Sequence, residues 1–254
     1  MRGMSVVLRR DLKDLRQTNA FLIIVIIFAV ATVGAAVGTS IALGRWEWLG
    51  QEEAWEETTK PILELTVGFI VYFLTLFALM TFIWGFTGDP ITKEKANGNI
   101  ESLLATPLSS RAVWMGKNLA IFLPGFAIAI VSTLIVVLAV NLAVIHPSTG
   151  NFVLPAPVLV TGFIGNSLLF LGLTSLIVLL SLLHSPDIGV MISWPVAMGL
   201  MMGIPIGVGI GAIDMASWSF ALYYLAGAIV LGAVVFYLSR LLTKEKVILS
   251  SKGG

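Results

Sequence analysis

The chain has 254 residues, 57% of them hydrophobic and 11% charged, with a formal net charge of +1 and a mean hydropathy of +0.98. A water-soluble domain of this length has no interior large enough to hide so much apolar surface, so the composition excludes one and defines an all-α polytopic membrane protein. The absence of cysteine excludes disulfides and thiolate metal sites, the net charge says nothing about partners, and no nucleic-acid partner is expected.

The reading is a single transmembrane domain over 1–254. Residues 1–20 are expected to form an amphipathic interfacial helix. Met4, Leu8, Leu12 and Leu15 recur at helical spacing, and Arg9, Arg10, Lys13 and Arg16 lie on the other face. Such a helix rests in the lipid headgroup region. A spanning helix needs about 20 apolar residues, and 21–43, 61–86, 113–145, 158–183, 188–212 and 218–242 qualify. The first is read as a span rather than a cleaved signal, because its apolar run exceeds a typical signal core and a charged arm precedes it. Gly34 and Gly38 sit four apart within it.

Segment 45–60 is amphipathic and acidic. Trp46, Trp48 and Trp55 suit an aromatic belt, and Glu47, Glu52, Glu53, Glu56 and Glu57 face water. Glu64 lies near the outer end of the second span, where it is either functional or a snorkelling carboxylate. In the fourth span Ser167, Thr174 and Ser181 share a face, with Asn166 alongside; they line a pathway or hydrogen-bond a neighbouring helix. In the fifth, Gly199, Gly203, Gly207 and Gly211 recur every four residues, a spacing that allows close contact within the chain or between two copies. Pro205 is expected to kink that helix or split it into a re-entrant pair. Met191, Met198 and Met202 share a face as core packing rather than a copper site. His146 and His184 fall on opposite sides of the membrane and cannot share a metal. No metal site is expected.

Charge orients the chain. Thirteen of the fifteen basic residues fall in the N-terminal arm, in 87–117 and in the tail, leaving Arg45 and Lys60 for the first outer connection. The connections 146–157 and 213–217 carry no Lys or Arg. The positive-inside rule therefore puts both termini and 87–112 in the cytoplasm, which requires an even number of spans.

The 87–112 connection is far longer than a turn between two spans requires. Asp89-Pro90 is a helix-start signature, Asn97-Gly98 a stop, and Thr106-Pro107 starts the next helix. Ile100, Leu103 and Leu104 form an apolar ridge beside Glu101. Leucines exposed on a short helix outside the bilayer need a groove to fill.

The residues Lys93-Glu94-Lys95, Gly98, Glu101, Leu103-Leu104 and Thr106-Pro107-Leu108-Ser109, followed by Gly116-Lys117, closely resemble the signature of type-2 ABC transporter membrane subunits. The chain departs from it at Asn99, where the family has Thr, and mildly at Ile100. The six-helix plan and size resemble the family over the whole length. The resemblance implies that Lys93, Glu94, Gly98, Ile100, Glu101, Leu103, Leu104, Thr106 and Pro107 form a coupling element docking onto a separate cytoplasmic ATPase. No Gly-x4-Gly-Lys-[Ser/Thr] phosphate loop occurs in this chain. ATP and magnesium would therefore belong to that partner, in two copies, and catalytic residues are not expected here. Six helices are half of such a pore, so a second permease copy or a homologue is implied. The implied setting is a prokaryotic cell membrane, and the implied activity is export of a hydrophobic or amphipathic substrate by alternating access. Two other readings stand beside it: an ABC complex that transmits force or anchors surface machinery, and an integral membrane enzyme. The enzyme needs paired carboxylates, a histidine-metal cluster or an activated nucleophile at membrane depth, and the sequence offers none.

Overall fold

The computed structural model describes residues 2–46, 55–86, 108–184 and 186–247. Every regular element among them is helical. We number them α1 (Arg2–Arg16), α2 (Asn19–Gly44), α3 (Glu57–Phe86), α4 (Ser110–Thr149), α5 (Ala156–Leu183), α6 (186–209) and α7 (Trp218–Leu241). Five of these, α2, α3, α4, α5 and α7, are long and apolar enough to cross a bilayer. Where the sequence reading expects a fifth of six spans, α6 consists of three consecutive pieces, Pro186–Met198, Gly199–Gly203 and Ile204–Gly209, and the stretch Trp194–Gly209 that runs across them qualifies only as a shorter apolar helix.

Burial sorts the helices. Half of the apolar window of α3 and α4 and 67% of that of α5 is buried, against 17% for α2 and 22% for α7. The centre is therefore α3–α4–α5, with α2 and α7 on its outside. Hydrocarbon competes with any apolar contact here, so packing rather than water exclusion must hold the helices together. Small residues set the approach distances. A Cβ on Gly125 of α4 would stand 3.0 Å from Phe82 of α3 and 3.3 Å from Phe170 of α5, and one on Gly162 of α5 would overlap Val71 of α3. Phe82 also meets Phe21 of α2 edge-on, at 6.3 Å between ring centres.

Among the described residues π-turns occur at Trp55–Thr59 at the start of α3, Asn141–Ile145 in α4, Val160–Gly165 in α5 and Gly199–Gly203 in α6. Each widens the backbone by a residue and loosens the carbonyl ladder. The last lies just before Pro205, which has no N–H to give one turn back; the π-turn absorbs that loss. The helix continues to Gly209, and the chain reverses at Gly211 in the left-handed region (φ +73°). No second helix of a re-entrant pair follows among the described residues before α7.

Candidate functional site

Residues 87–107 lie outside the described residues. The expectations for Lys93, Glu94, Gly98, Ile100, Glu101, Leu103, Leu104, Thr106 and Pro107, and for two short helices there, fall on that stretch. The structure does describe the residues that follow this segment. Ser109, the last residue of the Thr-Pro-Leu-Ser run, caps α4 by accepting a 3.2 Å hydrogen bond from the Ala112 amide. The segment thus feeds directly into the helix that packs on α1, α2, α3 and α5.

One turn further along α4 is a clamp. Val7 of α1 is 2% exposed and packs on Gly116 so closely that any Cβ there would stand 2.8 Å from the valine side chain. Beside it Lys117, 6% exposed, reaches Asp11 of α1 at 3.3 Å. The glycine admits α1, and the buried lysine gives it an electrostatic partner. Leu15 is buried and Met4, Leu8 and Leu12 are half-buried, as the amphipathic pattern of α1 anticipates. A two-residue elbow then joins α1 to α2. Thr18 donates to the Leu15 carbonyl at 2.7 Å and accepts from the Phe21 amide at 3.3 Å. Sequence reading counted Lys117 as an orienting charge and, with Gly116, as part of the family resemblance, not as a buried partner of α1. Its signal was the Gly-Lys dipeptide, and Asp11 was not singled out.

A polar network runs through the interior, fixed by the period of each helix. Asn166 of α5 donates to the Tyr72 carbonyl of α3 at 3.1 Å and accepts from the Tyr224 hydroxyl of α7 at 2.6 Å. Tyr72 in turn donates to the Leu200 carbonyl at 3.2 Å, within the π-turn of α6. Thr75 and Thr133 join α3 to α4 at 3.0 Å. Towards the clamp, the Trp114 indole donates to the Ser175 carbonyl at 2.9 Å, and the Asn118 amide donates to the Ser175 hydroxyl. At the other end, Asn141 donates to the Val153 carbonyl and accepts from its amide at 2.8 Å, tying down the α4–α5 connection. Tyr72, Asn118, Asn141, Ser175 and Tyr224 were not anticipated as a group; polar residues isolated in apolar runs were their signal.

The proposed pathway residues are packed. Ser167 donates to the Phe163 carbonyl of its own helix at 2.5 Å, and Thr174 and Ser181 are fully buried. The four-spaced glycines divide into two kinds. Around Gly34, Gly38, Gly199 and Gly203 there is open space for a side chain, whereas Gly207 is held against Ile213 and Gly211 forms the turn. Glu64 is half-buried. Among the described residues no group of three His, Cys, Asp or Glu could hold a metal ion.

Among the described residues these features define an all-helical bundle with five helices long and apolar enough to cross a membrane, an amphipathic helix clamped to one of them and a polar tie through the interior, a form that suggests a membrane-embedded protein. No family model, curated protein or solved structure matched the chain.

Proposed function

We propose that this chain is the membrane-spanning permease subunit of an ATP-driven ABC transporter. In this reading it exports a hydrophobic or amphipathic substrate by alternating access, from a prokaryotic cell membrane. It has six spans, α6 supplying the fifth, and both termini are cytoplasmic. A separate ATPase, in two copies, binds ATP and magnesium, and a second permease copy or a homologue completes the pore.

The observation that carries this is the resemblance of 91–111 to the family's coupling signature, with Leu103 and Leu104 on a segment outside the apolar spans. Two features agree with it. Ser109 caps α4 directly after the signature, so a push on the segment acts on the helix that touches most of the bundle. α1 is fastened to that same end of α4 through Lys117 and Asp11, so α1 and α4 would move as one body.

The test is Leu103→Ser/Leu104→Ser. Burying one leucine contributes roughly 1.5–3 kcal/mol, and about 1.4 kcal/mol is a factor of ten in affinity. Losing both is expected to weaken ATPase docking by at least tenfold while membrane insertion is unchanged. Co-purification of the ATPase and transport-coupled ATP turnover are the readouts. Full retention of both by the double variant would remove the reading's main support.

A further inference from the structure

We propose that a crevice between α5 and α7 binds an anionic phospholipid, with an acyl chain in the crevice and the phosphate held by Arg111 and Arg240. This rests only on the chain lying in a bilayer and not on the transport reading.

The crevice has a volume of about 200 Å³. Leu168, Gly172 and Ser175 of α5, Gly232 and Phe236 of α7 and the Trp114 ring line it. It exists because the two helices meet through small residues. A Cβ on Gly172 would stand 3.0 Å from Leu231 and 3.7 Å from the Gly232 amide nitrogen, while one on Gly232 would meet nothing within 4 Å. The backbones are close, and the space a side chain at Gly232 would fill is empty. The rim is apolar and open to the outside of the bundle, with Leu168 38%, Ile229 56% and Phe236 67% exposed. In a bilayer the surroundings of such a rim are acyl chains.

Charge selects the lipid. α4 begins, and α5 and α7 end, on the same side of the bundle, as the Trp114–Ser175 hydrogen bond and the Gly172–Leu231 contact require. Arg111 precedes Trp114 by three residues, about 4.5 Å along α4 towards that end, and Arg240 follows Phe236 by four, about 6 Å along α7. Both are exposed, and neither is ion-paired to a described residue. The Arg240 guanidinium stands 5.5 Å from the centre of the Tyr237 ring, which limits the positions it samples. Guanidinium groups match phosphate oxygens in a bidentate fork, and basic pockets between spanning helices on the positive side of a membrane protein bind anionic headgroups. A chain slot with two guanidinium groups one turn beyond it therefore fits a phospholipid that carries net negative charge better than a zwitterionic one.

The test uses the full chain in nanodiscs made from equal parts phosphatidylglycerol and phosphatidylcholine, followed by extraction in mild detergent and native mass spectrometry. The wild type should retain phosphatidylglycerol over phosphatidylcholine by at least fivefold. Gly232→Phe places a ring in the empty space and should reduce retention of both lipids. Arg111→Gln/Arg240→Gln should abolish the preference but leave residual lipid retained. An excess of inorganic phosphate should not displace the lipid, because a free anion has no chain for the crevice. Equal retention of the two lipids by the wild type overturns the proposal. So does unchanged retention in both variants when circular dichroism shows them folded, and so does displacement by phosphate alone.

Discussion

Lys117 shows how much of this protein depends on single polar groups in an apolar setting. Its ammonium is almost fully buried and its partner Asp11 is on another helix. Stranding one member of a buried ion pair costs about 3–5 kcal/mol, whereas replacing both with neutral groups is often tolerated. Asp11→Asn and Lys117→Met are therefore each expected to loosen α1, since each removes this counterion from a charge that is largely buried (side chains 6% exposed for Lys117 and 15% for Asp11). The double variant should regain much of the loss. Hydrogen exchange of residues 2–16 in reconstituted protein reads this directly; equal protection in all three variants would show that the pair does not hold α1. The lysine was visible in sequence as one of many basic residues. Its burial was not, because nothing in the order of residues says that α1 folds back onto that turn of α4.

At the scale of the helix, the glycines of α6 separate a reading by pattern from one by contact. Four of them recur at one spacing, yet Gly199 and Gly203 have room for a side chain, Gly211 has room but a left-handed backbone, and Gly207 is packed on Ile213 with its carbonyl accepting from the Ala212 and Ile213 amides at 2.8 and 3.0 Å. Gly207→Leu should thus damage the α6 turn itself and lower thermal stability. Gly203→Leu should leave stability within about 0.5 kcal/mol, the range of a substitution that disturbs no packed feature. If a second copy seats on this face, Gly203→Leu will still lower the dimer fraction in size-exclusion chromatography. A large stability loss from Gly203→Leu would show that its surroundings are occupied within the chain. The π-turns belong to the same lesson. Periodicity locates a helix to within a few residues but does not register one inserted residue, because the apolar faces of these spans extend most of the way round.

For the molecule as a whole, topology is the property on which the functional reading depends. Among the described residues, the basic side chains of α1, Arg111, Lys117 and Arg240 belong to the end where α4 starts and α5 and α7 finish; under the proposed reading of six crossings, the positive-inside rule puts that end in the cytoplasm. Since the chain has no cysteine, single cysteines report without background. Ser148→Cys, at the far end of α4, should label from outside intact cells with an impermeant maleimide, and Asn97→Cys and Ser250→Cys should not. External labelling at Asn97 would invert the orientation and remove any docking of 90–108 onto a cytoplasmic ATPase.

Composition alone pointed to an all-helical chain with helices long and apolar enough to cross a membrane, since no soluble core could bury so many apolar residues. Run length picked out six segments, five of which are helices long and apolar enough to cross a membrane while 188–212 falls in the shorter α6, and the three-to-four spacing in 1–20 anticipated an amphipathic α1. The motif at 91–111, whose own structure lies outside the described residues, was likewise readable only as sequence. Tertiary structure decided which helices are central, which glycines are contact points and which polar residues meet. Asn166, Tyr72 and Tyr224 are far apart in sequence and become one network only when α3, α5 and α7 pack. The physical reason is that a bilayer rewards any apolar helix equally. Helix existence is therefore written in local composition, while the choice of partners rests on close packing and on a few interhelical hydrogen bonds.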